Sequence, residues 1–131
     1  MDKLLSLVVP VYNEEECILE FISQVRSELD DSPLHYEIVF ADDGSTDKTV
    51  ELIRGEIGND SRIRLVELSY NHGKQAALTA AVTYSNGDYL IYMDPDLQDP
   101  PKEISRFIAK IEEGYDPVSY THLRAHETGW Y

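Results

Sequence analysis

The sequence predicts an α/β protein built on an open parallel sheet, and three observations carry that prediction. An almost unbroken apolar run, Leu4 to Val11, has the length of a strand and the composition of one buried on both faces. Strand-like and helix-like segments then alternate four times along the chain. The connections are short, which suits right-handed crossovers returning each strand to a single sheet.

Taken in order, Pro10 removes a ladder hydrogen bond near the end of the first strand, so the chain is expected to leave the sheet there. Asn13 is placed to cap the following helix, with Glu16 at capping-box spacing behind it. Cys17, Ile18, Phe21, Ile22, Val25 and Leu29 mark one face of that helix, and Asp30 to Pro33 break it. Tyr36 to Ala41 read as the second strand, running into Asp42-Asp43-Gly44-Ser45. Val50, Ile53 and Ile57 point a second helix inward, with Gly58 near its end. Ile63 to Leu68 form the third strand, and the alanine-rich helix Gln75 to Ser85 is stopped by Asn86-Gly87. Asp88 to Met93 make the fourth strand. Pro100-Pro101 open a last helix carrying Ile104, Phe107, Ile108 and Ile111, which Gly114 stops. The chain has no internal repeat and no low-complexity segment.

Composition narrows the functional classes. A chain of 131 residues forms one compact domain with one core, and 42% hydrophobic with 27% charged residues is ordinary for a soluble globular protein and unlike a disordered one. The net charge of −14 argues against nucleic acid as a partner, because no basic surface offsets phosphate repulsion. It also means that a phosphate-bearing ligand needs a cation between itself and the carboxylates. Most of the 25 acidic residues are nonetheless expected to be solvated and to serve solubility. Cys17 is the only cysteine, which leaves no disulfide framework and fits a reducing compartment. No charged-then-apolar leader precedes the first strand, and no apolar run approaches the roughly 20 residues of a membrane span. A cytoplasmic location is the expectation. The Asn59-Asp60-Ser61 sequon then reads as an accident of a surface turn.

The chemistry-bearing residues gather behind the strands. Tyr12-Asn13-Glu14 follow the first, Asp42-Asp43 the second, Asn71 to Lys74 the third and Asp94 to Asp99 the fourth. All four clusters therefore fall on one edge of the sheet, the edge where open α/β sheets bind ligands. Asp94-Pro95-Asp96-Leu97-Gln98 puts two carboxylates and an amide on a tight turn. Such hard oxygen donors suit Mg2+ or Mn2+, although Asp-Pro-Asp is also a common turn and helix start. In the Asp42 to Asp47 segment, Ser45 or Thr46 can cap the next helix and Asp47 favours its dipole. Capping alone leaves two adjacent carboxylates at a buried strand end unexplained, and a carboxylate can accept from a uracil or guanine N–H and from ribose hydroxyls. Gly44 lets the backbone turn there. Asn71-His72-Gly73-Lys74 is not a Walker A loop, since Leu68 and Gln75 stand where glycine and Ser or Thr belong; Lys74 can still meet a phosphate. His122 and His126 have helical metal-pair spacing but lack the intervening Glu, and the spacing is read as coincidence.

Together, Val9-Pro10-Val11-Tyr12-Asn13-Glu14-Glu15, Asp42 to Asp47, Asn71-x-Gly-Lys74 and Asp94-x-Asp-Leu-Gln-Asp-Pro-Pro101 resemble the family 2 inverting glycosyltransferases. That resemblance implies the GT-A fold, a Rossmann-like nucleotide-sugar-binding sheet. The Asp-Leu-Gln-Asp-Pro-Pro ending is similar to the branch of dolichol-phosphate mannose synthases and undecaprenyl-phosphate glucosyltransferases. It implies that Pro10, Tyr12, Glu14, Asp42 and Asp43 hold base and ribose, that Asp94, Asp96 and Gln98 hold metal and diphosphate, and that Lys74 lies near the nucleotide. The implied reaction is attack by a polyprenyl-phosphate oxygen on the anomeric carbon with inversion, a growing polysaccharide being the second choice of acceptor. The donor is a UDP- or GDP-linked sugar. A phosphate acceptor is already ionised near neutral pH, so no strong general base is required.

Two features depart from the family pattern. Pro95 replaces the small residue usual between the aspartates. After Tyr115-Asp116-Pro117-Val118 the family would continue with the acceptor side and often membrane helices, whereas Ser119 to Tyr131 resembles nothing in it. Residues 1–118 thus read as the donor region and 119–131 as a tail joined from elsewhere. The expectation is an N-terminal fragment that binds nucleotide weakly and transfers little sugar, with the full-length protein at the cytoplasmic face of a membrane. The rivals fit less well. A haloacid-dehalogenase phosphatase carries its Asp-x-Asp after the first strand, a receiver domain its acidic pair there too, and a nucleotidyltransferase shows an early glycine-rich basic loop.

Overall fold

The computed structural model describes residues 3–96 and 102–112. In chain order the elements are β1 (Leu4–Val11), α1 (Ile18–Leu29), β2 (His35–Asp42), α2 (Thr49–Ile57), β3 (Ile63–Glu67), α3 (Lys74–Thr83), β4 (Tyr89–Tyr92) and α4 (Lys102–Glu112). The strands form one parallel sheet in the order β3-β2-β1-β4. The helix start at Pro100-Pro101, the stop at Gly114 and the tail at 119–131 lie outside the described residues.

Side chains of β1 alternate across the sheet. Leu5, Leu7, Val9 and Val11 join α1, Ile53 of α2 and Ile104 and Ile108 of α4 in one core. Val8, on the opposite face, meets Val39, Ala41 and Tyr92 under Ala77, Leu78 and Ala81 of α3. Handed crossovers account for the unequal layers. Successive steps from β1 to β2 to β3 move one way along the sheet and leave α1 and α2 on one face. The return step from β3 to β4 must then carry α3 over the other. In α2 only Thr49 and Ile53 are buried; Val50 and Ile57, both expected to face inward, are half-buried.

Pro10 acts differently from the expectation. The chain stays in the sheet through Val11, with Pro10 opposite Ala41 and Val11 opposite Asp42. The carbonyl of Val8 accepts from the N–H of Met93, so the even-numbered residues of β1 turn their backbone groups toward β4. The missing N–H of Pro10 is therefore lost on the β4 side, where pairing has already ended at Val8 opposite Tyr92. The ladder to β2 needs nothing from it. The sheet consequently parts between β1 and β4 at their carboxyl ends.

Candidate active site

Between β2 and β4 the strand order reverses direction at β1, and a crevice at that switch point is the usual ligand position in such sheets. A cleft of about 220 Å3 lies there, lined by Pro10, Val11, Tyr12, Glu14, Asp43, Lys74, Ala77, Asp94 and Asp96. The four clusters that follow the four strands thus meet at one edge. Asp42 is not among the lining residues, and Gln98 lies outside the described residues.

The loops after β1 and β2 hold one another. Asn13 takes a left-handed backbone, φ 51°, and its Oδ1 accepts the N–H groups of Thr46 at 2.8 Å and Asp47 at 3.3 Å. In return its own N–H donates to Ser45 Oγ at 2.8 Å, and the Glu14 N–H to Thr49 Oγ1 at 2.8 Å. The Glu15 carboxylate accepts from the Lys48 N–H at 2.9 Å, while the Glu15 N–H donates to Asp47 at 3.2 Å. Two expectations are corrected here. Asn13 does not cap α1, which begins at Ile18 with Cys17 as its N-cap and no side-chain cap. Ser45 and Thr46 do not cap α2; Asp47 instead accepts the N–H of Thr49 at 2.9 Å. Asn13 and Ser45 are taken up by backbone donors across the loops, and so neither caps the helix behind it.

The adjacent carboxylates of Asp42 and Asp43 part company at the strand end. Both are buried, with exposures of 3% and 5%. Asp42 accepts from the N–H groups of Gly44 and Ser45, at 3.1 and 3.0 Å, and from the Ser45 hydroxyl, so it anchors its own turn and stands away from the cleft. Asp43 accepts from the N–H groups of His72 at 2.7 Å and Gly73 at 3.0 Å, which ties the loop after β3 to the cleft wall. Gly44 makes this close approach possible: its φ is 80°, and a Cβ there would lie 2.7 Å from the backbone of both Tyr70 and Asn71. In that loop the rings of Tyr70 and His72 lie against one another, centroids 4.0 Å apart.

Across the cleft, Lys74 opens α3 and its Nζ lies 2.8 Å from Asp94 Oδ1. Burial works against the ammonium's charge, but bonds to Asp94 and Tyr92 outweigh it and push the Lys74 pKa up to about 12. Lys74 therefore enters the site as a fixed cation. Glu14 is pushed above the usual carboxylate range, first by burial and then by Asp96 and Asp94, against the bond it accepts from the Cys17 thiol. Burial and the Glu14 carboxylate in turn raise that thiol to about 11, so Cys17 is neutral and a weak nucleophile. Sequence reasoning missed Val11, Ala77 and Tyr92. Ala77 had a signal, since an alanine-rich helix directly behind a strand-end loop lets another group approach closely.

The donor set fits a hard divalent cation. Asp94 and Asp96 supply carboxylate oxygens, Lys74 is the one cation among the lining residues, and the carboxylates raise the pKa of Glu14. Among the described residues no group of three or more His, Cys, Asp or Glu is close enough to hold an ion unaided. An ion here would be held by few protein oxygens and completed by phosphate oxygens, as Mg2+ and Mn2+ commonly are.

Glycosyl transferase family 2 is the family whose sequence model matches, over residues 6–130. Undecaprenyl-phosphate 4-deoxy-4-formamido-L-arabinose transferase of Shewanella sediminis (strain HAW-EB3) is 41% identical over 114 residues, covering 86% of this chain and 34% of that protein. The crystal structure of S. aureus TarS 1-349 in complex with UDP-GlcNAc superimposes with a TM-score of 0.66 at 26% identity, over 84% of this chain and 32% of that one. Mannosyltransferase PcManGT from Pyrobaculum calidifontis, in complex with GDP-Man and Mn2+, gives a TM-score of 0.66 at 28% identity, over 73% and 28% of the two chains. The present chain spans about a third of the length of the curated relatives it matches. No helix among the described residues is long and apolar enough to cross a membrane.

Proposed function

This chain belongs to glycosyl transferase family 2, of GT-A fold, and we propose that it is the donor-binding part of an inverting, metal-dependent enzyme. Its donor is a UDP- or GDP-linked sugar and the acceptor of the whole protein is a polyprenyl phosphate. The observation that carries this reading is the cleft at the β1/β4 switch point, where Asp94 and Asp96 face Tyr12, Glu14 and Asp43. The acceptor is favoured by the 41% identity to a transferase named for undecaprenyl phosphate.

Each residue then has a task. Tyr12, 44% exposed on the cleft wall, offers a flat surface to the base, and Pro10 lines the same cleft. Asp43 spends its carboxylate partly on the loop after β3 and presents the remainder to base or ribose. Lys74 meets the diphosphate as a permanent cation. Asp94 and Asp96, with Gln98 as the sequence motif implies, would hold Mg2+ or Mn2+, which would supply Lewis-acid stabilisation of the nucleoside diphosphate's charge. Asp42 serves through the turn it anchors. The acceptor phosphate arrives ionised, and Glu14, with its raised pKa, is not needed as a base.

Calorimetry of UDP and GDP on the 131-residue chain, with and without Mn2+, tests the reading. One nucleotide is expected to bind at least about tenfold more tightly with the metal, little or no sugar being transferred. Binding of neither nucleotide, or binding indifferent to Mn2+, overturns the donor-site assignment; rapid turnover overturns the assignment of a donor part alone.

A further inference from the structure

Tyr92 ends β4 with its ring buried beneath α3, among Val8, Val39, Ala77, Leu78 and Ala81. A phenylalanine would fill that space equally well, so packing does not call for the hydroxyl. It donates to Asp94 Oδ1 at 2.7 Å, the same oxygen that Lys74 Nζ reaches at 2.8 Å. The carboxylate oxygen can only accept, so the phenol is the donor in this bond. One oxygen of Asp94 is thus occupied from two directions by groups fixed on different elements, a strand and a helix.

We propose that Tyr92 is a positioning residue for the metal site: with Lys74 it locks Asp94 through Oδ1, so that Asp94 meets a divalent cation as a one-oxygen ligand through Oδ2. This rests on the reading that Asp94 serves such a cation. A single-oxygen ligand with its other oxygen pinned cannot swing or switch to two-oxygen binding. That suits an ion of near-octahedral preference and favours it over Ca2+, whose larger and looser shell gains more from two-oxygen carboxylates.

The experiment is a Mn2+ titration of the 131-residue chain, wild type and Tyr92→Phe, followed by electron paramagnetic resonance with UDP and GDP in parallel. Unfolding midpoints and metal-free nucleotide affinities are measured on the same samples. Y92F is expected to weaken Mn2+ uptake by about tenfold or more and to narrow the preference for Mn2+ over Ca2+. Metal-free nucleotide affinity should stay at the wild-type value. Equal Mn2+ affinity in the two proteins overturns the inference, as does a loss of nucleotide affinity of the same size with and without metal, which would mark a packing role. If the wild type itself takes up no Mn2+ with either nucleotide, the metal reading falls and this inference with it.

Discussion

The two edges of the sheet handle negative charge in opposite ways. At the amino edge Asp30, Glu37, Glu56 and Asp60 each meet an arginine. Arg26 joins Glu56 and Asp60 at 2.8 and 3.1 Å, Arg62 joins Asp60 and Asp30 at 3.0 Å, and Arg64 reaches Glu37 at 3.3 Å. At the carboxyl edge Lys74 meets Asp94 and Arg54 meets Glu67, but the buried Asp42 and Asp43 are satisfied by backbone N–H groups. Those partners hold a carboxylate in place without cancelling its charge. One edge is closed electrostatically and holds the fold together; the other is rigid yet still short of positive charge.

Glu37→Ala should produce the largest effect. That carboxylate is 6% exposed and accepts from Ser6 Oγ at 2.6 Å and the Asn86 N–H at 2.7 Å, besides Arg64. Its removal strands buried donors and should lower unfolding free energy in urea by about 3 kcal/mol. Nucleotide affinity of the folded protein should be unchanged. A comparable loss of binding would show that the two edges are not independent.

Asn13→Ala comes next and should act on both properties. It frees the N–H groups of Thr46 and Asp47 and loosens a left-handed residue, costing about 1–2 kcal/mol in urea. Because Glu14 and Tyr12 flank it, nucleotide affinity should fall about tenfold. Unchanged affinity would reduce the paired loops to a folding device. Asp96→Asn should shift stability by less than about 0.5 kcal/mol while abolishing the Mn2+-dependent part of nucleotide binding. A large destabilisation would place Asp96 in the fold and not in the site.

The pH dependence should differ in sign between the edges. Asp60 is held down to about 2, chiefly by its bond to Arg62, and Glu37 is also lowered, its bonds to Asn86, Ser6 and Arg64 outweighing burial. Such groups stabilise above their unfolded values, and the contribution is lost as pH falls through the folded ones. Glu14 is raised, so its contribution is present at low pH and is lost as pH rises through its folded value. Urea midpoints from pH 7 downward should therefore hold or rise slightly near pH 5, then fall below about pH 4. A monotonic fall from pH 7 would mean that the carboxyl edge carries no net strain from like charge.

Much of this was legible in the sequence because it depends on local period. The apolar run of β1 fixed its bounds, and the helical spacing of Ile18, Phe21, Ile22, Val25 and Leu29 marked a buried face. Alternation of strands and helices brought four polar clusters to one edge. What local patterns could not reveal were partners distant in the chain. Asn13 has the residue type and spacing of a helix cap, yet its partners Thr46 and Asp47 come from another loop. Asp42 and Asp43 were indistinguishable as neighbours, and only the paths of two loops separated them. Tyr92 read simply as a strand residue, because nothing in a sequence says how far a buried ring extends its hydroxyl.

Pro10 shows how a slit can be written into a backbone. A single absent donor works as a zip stop: β1 continues beside β2, and beyond Val8 the next residue facing β4 offers no N–H to extend the ladder. The opening is thus specified by a lack at Pro10, one that a change of any other lining side chain neither repairs nor enlarges. The walls can be re-lined for a different base or sugar while the gap between them keeps its place.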